Sequence, residues 1–422
     1  MGQPVLPMRD STFLTRVLLE NYKSIARCDV SLSPLTFLVG PNGSGKSNFL
    51  DALRFVADAL RAALDHAIRD RGGIKEVRRR SSTHPTHFGI RLEFALPTGQ
   101  RGFYSFRIGA LREAGYEVQR EDCMITAPEA LGPDAHYRVE HGVVVSTSVS
   151  VAPVASTDRL YLVNASGLPE FRPVFEVLSN MGFYNLNPDE IRDLQPPDVG
   201  EILSRDGDNI ASVLRQLSAH NPEAKERIEE YLGKVVAGIQ TVDARSIGSK
   251  ETLEFRQQMA GSKHPWGFPA SSMSDGTLRA VGVLVALFQS SNGQKAGVPL
   301  VGIEEPEVAL HPAAAGILLD ALMDASRHTQ VLVTSHSPEL LDNYRISADS
   351  ILAVVANGGI TSIAPLDEVG RSALRDRLYT PGELLKLNQL SPDPDALDRL
   401  SNHFFATSWP SSKDSRSGKP PG

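Results

Sequence analysis

The chain has 422 residues, 41% of them hydrophobic and 22% charged, with a net charge of −7 and only two cysteines. That length and balance suit a soluble globular chain of two lobes. The negative charge excludes a uniformly basic nucleic-acid coat, while Cys28 and Cys123 share no ligand spacing, which excludes a disulfide scaffold or a zinc site. No apolar run is long enough to span a bilayer, and the first residues lack the pattern of a secretory signal. A cytoplasmic, reducing setting without membrane contact is expected.

Residues 1–11 read as a loose leader. Residues 16–25 alternate as a strand, residues 28–32 form a second strand that pairs with it, and residues 35–39 form a third, apolar throughout. Next comes Gly40-Pro41-Asn42-Gly43-Ser44-Gly45-Lys46-Ser47, which fits G-x-x-x-x-G-K-[ST]. Asn48 leads into a helix with an apolar stripe at Leu50, Leu53, Phe55, Val56, Leu60 and Ala63; it is expected to run to about residue 70, where Gly72-Gly73 breaks it. Strand, glycine loop and helix are the context in which this motif holds phosphate. Glycines let successive N–H groups turn inward, and the helix N-terminus adds partial positive charge. Lys46 is placed to reach the β- and γ-phosphates and Ser47 to hold Mg²⁺. The basic residues Arg69, Arg71, Lys75, Arg78, Arg79 and Arg80 follow. They read first as a solvated loop or helix end, and second as a local nucleic-acid surface.

From residue 88 to about 163 the pattern switches to strands, at 88–94, 102–108, 116–118, 136–139 and 143–145. The alternation predicts an antiparallel meander with one wet face. Residues 170–235 turn helical, with Asp206-Gly207-Asp208-Asn209 starting one helix and Pro222 opening another. Strands return at 239–244 and 252–257, and a Gly/Ser/Pro-rich stretch at 261–272 is expected to be flexible. There is no internal repeat and no long heptad run, and residues 409–422 read as a disordered tail.

The last third carries a second set of motifs. Residues 298–307 are an apolar strand ending in Glu304-Glu305-Pro306-Glu307. One carboxylate at such a strand end serves a metal and a second serves an attacking water, which makes Glu304 the metal-side acid and Glu305 the base. Residues 331–338 are another apolar strand, ending in Thr334-Ser335-His336-Ser337-Pro338. His336 is placed to hydrogen-bond a γ-phosphate or the lytic water, a role to be weighed against a purely structural histidine. Ser274 or Asp275 caps the apolar helix over 280–288, and that helix N-terminus can also meet a phosphate.

Asn21-Tyr22-Lys23-Ser24-Ile25, the phosphate loop, Ser274-Asp275-Gly276-Thr277, and Glu304-Glu305-Pro306-Glu307 followed by Leu310-His311-Pro312 and Thr334-Ser335-His336-Ser337-Pro338 occur in that order. Together they resemble the ABC-type ATPase heads of the RecF/SMC kind. The resemblance is closest to the bacterial AAA family ATPases (AAA_21-like) related to overcoming-lysogenisation-defect proteins, here without a Toprim nuclease domain. Phe183 to Pro188, Asp206 to Asn209, and the segment from Arg377 to Leu385 also resemble that group, so the likeness covers most of residues 13–393.

The resemblance implies an α/β P-loop NTPase head with a mixed sheet, an antiparallel β subdomain and an inserted helical lobe. Its parts would be an N-terminal ATPase lobe at 13–165, the inserted lobe at 166–260, a C-terminal ATPase lobe at 261–400 and a tail at 401–422. It further implies a homodimer that closes on two ATP molecules. Each ATP would lie on Gly40, Pro41, Asn42, Gly43, Ser44, Gly45, Lys46, Ser47 and Asn48 of one copy, with Mg²⁺ at Ser47 and Glu304, and would be covered by Ser274 and Gly276 of the other. Glu305 would be the general base, with His336 and Lys46 completing the catalytic set, and Glu307 to His311 would link the two sites.

Three departures stand out. Glu304 replaces the more usual Asp, no Mg²⁺-sensing glutamine can be placed, and the signature lacks the Ser-Gly-Gly-Gln form of transporters, which argues against a membrane-transporter subunit. The expected activity is ATP hydrolysis driving a dimeric switch in a DNA-linked process such as antiphage defence or repair. The alternative is a slow-turnover, ATP-bound scaffold that regulates a separately encoded effector such as a nuclease. DNA and that effector are the candidate partners.

Overall fold

The computed structural model describes residues 13–80, 85–111, 115–126, 128, 133–289 and 297–399. The leader at 1–11 and the tails at 401–422 and 409–422 lie outside the described residues. In chain order the strands are β1 (Leu14–Tyr22), β2 (Ile25–Ser31), β3 (Leu35–Val39), β4 (His87–Ala95), β5 (Arg101–Ala110), β6 (Tyr116–Thr126), β7 (Ala135–Glu140), β8 (Val143–Thr147), β9 (Gly182–Tyr184), β10 (Ile239–Ile247), β11 (Lys250–Gln257), β12 (Trp266–Pro269), β13 (Leu300–Glu304), β14 (Gln330–Ser335), β15 (Ile351–Asn357) and β16 (Ile360–Pro365). Thirteen form one sheet in the order β8-β7-β6-β5-β4-β1-β2-β16-β15-β3-β14-β13-β9, and β10-β11-β12 form a second.

The large sheet has two halves. From β9 through β13, β14 and β3 to β15 all pairings are parallel. From β2 through β1 and β4 to β8 all are antiparallel. Every residue of β3 is buried, as expected of a parallel strand covered on both faces. Its side chains alternate between two cores, with Leu38 in one and Leu35, Phe37 and Val39 in the other. The first core joins the loop helix Lys46–Arg61 to one face of the meander. There Phe55, fully buried, sits edge-on to Tyr22 and Phe88, with centroids 6.1 and 5.4 Å apart. The second core packs the apolar helix Asp275–Phe288 and the helices Ile210–His220 and Pro222–Val235 against the opposite face of the parallel strands.

The face of the meander expected to be wet is only partly so: Arg91, Ser105 and Asp122 on it are buried, and its charges are paired. Arg16 meets Asp29 at 2.6 Å and Glu93 at 3.7 Å, Arg91 meets Glu93 at 3.2 Å, and Asp122 takes Arg120 and Arg138 at 2.7 and 2.6 Å. Such a compensated ladder offers little net positive potential to a polyanion.

Four expectations change. The loop helix ends at Arg61, Ala63 is extended, and a separate helix Leu64–Arg69 follows. The break lets Leu64, Ala67 and Ile68 reach the first core, while Arg61 is held by the carbonyls of Ser179 (2.6 Å) and Met181 (3.3 Å). Residues 182–184, placed by sequence in a helical region, are the edge strand β9. The stretch at 261–272 contains β12, paired with β11, and a 3₁₀ turn at Ala270–Ser272. Finally, Asn209 precedes the helix Ile210–His220 without capping it by its side chain. That side chain instead donates to Asp198 and the Ile202 carbonyl and accepts from the Ser204 amide.

Candidate functional site

The phosphate loop leaves β3 and enters its helix through glycines that the geometry requires. Gly45 is left-handed (φ 101°), and a Cβ there would lie 2.1 Å from Thr361 Oγ1; a Cβ on Gly40 would lie 2.0 Å from the Val354 carbonyl oxygen. Distant residues brace the loop. Thr361 donates to the Ser44 carbonyl (2.8 Å) and shares a hydrogen bond with Ser24 (2.7 Å), and Asn48 donates to the same Ser24 hydroxyl (2.6 Å). The helix starts at Gly45 without a side-chain cap, so its first-turn amides keep donor capacity for an anion.

Lys46 is buried, and its ammonium donates to the carbonyls of Gly40 (2.8 Å) and Pro41 (3.0 Å). Burial lowers its pKa, opposed by the charges of Glu305 and Glu307. Asn42, Gly43, Gly45, Lys46, Ser47, Asn48 and Glu305 line one open pocket of about 340 Å³. Ser47 and Asn48 also line a neighbouring pocket with Lys23, Asp51, Arg54, Arg205 and Glu304. Among the described residues no glutamine lines either pocket. Thus Lys46, Ser47, Asn48, Glu304 and Glu305, expected from sequence to act together, converge on two adjoining pockets. The Ser47 hydroxyl and the Glu304 carboxylate are hard oxygen donors on one wall, a set that fits Mg²⁺.

The acidic turn is held in an uncommon shape. Glu305 is left-handed (φ 44°), and its amide donates to the Thr334 carbonyl (3.0 Å) and hydroxyl (3.2 Å). This points its carboxylate away from the strand and toward His336, whose Nδ1 lies 3.1 Å from Glu305 Oε1. Both side chains keep over a third of their surface exposed. Glu307 turns inward and accepts from Ser335 Oγ (2.6 Å), while its Oε2 is buried without a partner. Burial raises its pKa.

The signature segment does not reach its own phosphate loop. Ser274 caps the helix Asp275–Phe288 by accepting from the Thr277 amide. Gly276 lies against the turn after the acidic strand, where a Cβ would meet the Ala309 carbonyl oxygen at 2.5 Å. Neither residue lines the two pockets.

Three contributors were not singled out from sequence. Arg279, one turn into the signature helix, donates to the carbonyls of Leu186 (2.8 Å), Glu304 (3.2 Å) and Glu305 (3.0 Å), fixing the acidic turn to that helix. A single arginine inside the apolar run Leu278–Phe288 was the available signal, because buried arginines need partners. Thr361 gave no local signal. Asp51 gathers Tyr22, Lys23, Arg54 and Arg71 within 2.6–3.0 Å. Burial works to raise its pKa, but Arg71, Lys23 and Arg54 hold it well below the usual carboxylate range.

The basic concentration at 69–80 is largely spent on local partners. Arg69 pairs with Asp65, Arg71 with Asp51 and Asp58, and Arg80 with Glu76, while Arg78 donates to the Pro85 carbonyl.

A glycine loop cradling a buried lysine, carboxylates on the next strand but one, and a histidine on the strand between them define a P-loop NTPase head of the RecF/SMC/ABC ATPase type. The family described as "AAA domain, putative AbiEii toxin, Type IV TA system" matches residues 35–122 and 178–342, and the chain belongs to it. Among curated proteins, DNA replication and repair protein RecF of Vibrio vulnificus is 46% identical over 41 residues, and that of Aliivibrio fischeri 44% over 41. Each match covers 10% of this chain and only 11% of the relative's length. Among solved structures, an Smc head bound to the C-terminal winged-helix domain of ScpA aligns over 85% of this chain and 99% of its own, at TM-score 0.53 and 14% identity. An Smc head with an extended coiled coil, bound to the C-terminal domain of ScpA from Pyrococcus furiosus, covers 87% and 99% at TM-score 0.53 and 12% identity. Among the described residues no helix is long and apolar enough to cross a membrane.

Proposed function

We propose that this chain hydrolyses ATP and uses the nucleotide to gate association of two copies. The carrying observation is that Glu305 lines one pocket together with the loop residues Asn42, Gly43, Gly45, Lys46, Ser47 and Asn48. Lys46 and the loop amides bind the β- and γ-phosphates. Ser47 and Glu304 would hold Mg²⁺, which supplies charge neutralisation between those phosphates. Glu305 takes the proton of the attacking water, and His336, hydrogen-bonded to it, orients that carboxylate and meets the γ-phosphate. Charge-assisted hydrogen bonds from Lys46 favour the ligand over its present carbonyl partners.

The dimer follows from incompleteness. Within one copy the pocket is open, and Ser274 and Gly276 sit behind the acidic turn rather than over the loop. A second copy would bring its own Ser274 helix N-terminus to the phosphates. Arg279 then ties the contact made on a neighbour's nucleotide to the position of Glu304 and Glu305 in its own copy. A DNA-linked role in antiphage defence or repair draws support from the family and from the short RecF match.

The test is mass in solution with and without ATP for wild type and Glu305→Gln. The expected result is a long-lived ATP-dependent dimer of the variant with turnover lost. A variant that stays monomeric in saturating ATP overturns the gating. Turnover is then compared with and without duplex DNA at low salt. No stimulation and no DNA retention overturn a direct action on DNA and favour control of a separate effector.

A further inference from the structure

The segment 198–209, from which Arg205 reaches a pocket of the site, is built tightly. The Arg205 carbonyl accepts from the Asn185 amide (2.9 Å), and the Asp206 carbonyl from the Asn187 amide (2.9 Å), which lays the segment along the chain leaving β9. The buried side chain of Gln195 donates to the Gly207 carbonyl (3.1 Å). Gly207 is left-handed (φ 91°), and a Cβ there would lie 2.7 Å from Ile191. Asn209 closes the segment by holding both Ser204 and Ile202.

These bonds deliver one side chain to the site. Arg205 Nη2 lies 3.4 Å from Glu304 Oε1, in the pocket that Ser47 also lines. The other cations of that pocket, Lys23 and Arg54, are committed to Asp51 at 2.6 and 2.7 Å. Glu304 has no other side-chain partner among the described residues.

We propose that Arg205 competes with the divalent cation for Glu304 and thereby reports the filling of the nucleotide site to the inserted lobe. This rests on the ATP reading above. Without nucleotide, the guanidinium neutralises a carboxylate that would otherwise stand beside Asp51, Glu305 and Glu307. A small cation needs that carboxylate oxygen at close range, and a guanidinium cannot share it without like-charge repulsion. Loading therefore releases Arg205. By linkage, whatever Arg205 contributes to holding Glu304 is subtracted from metal affinity, and metal loosens Arg205 by the same factor. Arg205 is half exposed and the pair is long, so the effect is modest, about two- to fivefold.

The experiment is a Mg²⁺ titration of mant-ATP retention by wild type, Arg205→Ala, Arg205→Gln and Arg205→Lys, with hydrogen exchange over 198–209 read in parallel. The Ala and Gln variants should reach half-saturation at about two- to fivefold less Mg²⁺, with Lys in between. Wild-type exchange over 198–209 should rise when Mg²⁺ and ATP are added together. An unchanged or higher Mg²⁺ requirement in both Ala and Gln variants overturns the proposal, as does unchanged exchange. Arg205 is half exposed at the surface, so these variants keep the cores intact; superimposable thermal unfolding checks this. The nucleotide reading fails separately: wild type that retains no mant-ATP at any Mg²⁺ concentration, or retains it equally with Lys46→Ala, overturns that reading and this inference with it.

Discussion

The two halves of the large sheet treat their carboxylates in opposite ways. In the meander, Glu121 is fully buried and accepts four hydrogen bonds, from the Tyr161 and Leu162 amides and the Tyr104 and Tyr137 hydroxyls. Asp122 takes two arginines. In the parallel half, Glu304 has one long contact, Glu305 one bond with His336, and Glu307 a buried oxygen with no partner. Native interiors satisfy their acceptors, so spare capacity beside a phosphate loop marks where a ligand belongs, and saturated capacity marks architecture. Asp51 shows that sequence proximity to the loop is not the criterion. It is five residues from Lys46, yet four partners saturate it.

The contrast can be broken first at Glu305. Glu305→Gln should reduce turnover by about 10²–10⁴-fold, the usual contribution of a general base, while the unfolding midpoint in urea barely moves. Second, Asp51→Ala should do the reverse. It takes from Arg71 one of its two carboxylate partners, Asp58 remaining, and from Lys23 the partner they share; the fold is destabilised by about 1–3 kcal/mol, read as an earlier urea midpoint, with nucleotide affinity of the folded fraction retained. Loss of turnover without loss of stability would dissolve the distinction.

A third test uses pH. Burial pushes the Glu121 carboxyl up to about 7, against four hydrogen bonds that favour the charge, from an ordinary value of 4.5. The folded chain therefore holds a proton that the unfolded chain has released across that window. Stability from this group is full below about 4.5 and is lost as pH rises through about 7, a change on the order of 3 kcal/mol. Urea unfolding between pH 4.5 and 7.5 should show that slope in wild type and not in Glu121→Gln. The smallest effect belongs to Arg16, the most exposed arginine of the outer-face ladder. Arg16→Ala should cost under about 1 kcal/mol and leave ATP turnover unchanged.

What sequence made legible was local. β3, the loop and its helix are contiguous, and the acidic and histidine strands announce themselves by apolar runs ending in polar residues. What it hid was distant or short. Thr361 lies 317 positions from the Ser44 carbonyl it holds, and Arg205 lies 99 from Glu304. β9 has three residues, too few for any periodicity to register. The helix break at Ala63 involves neither glycine nor proline, because burial of Leu64, Ala67 and Ile68 overrides propensity there. Asn209 looked like a helix cap and spends its amide on three loop partners instead.

The bond from Thr361 to Ser44 also has a consequence during synthesis. At roughly 5–20 residues per second, a ribosome needs on the order of 15–60 s to travel between those two positions. Throughout that interval the glycine loop has emerged without the threonine that shapes it, and without β15 beneath Gly40. A nascent chain is thus a poor trap for nucleotide, and tight nucleotide retention becomes a certificate that translation has passed β16. Chains interrupted earlier would carry the motif intact and lack the grip.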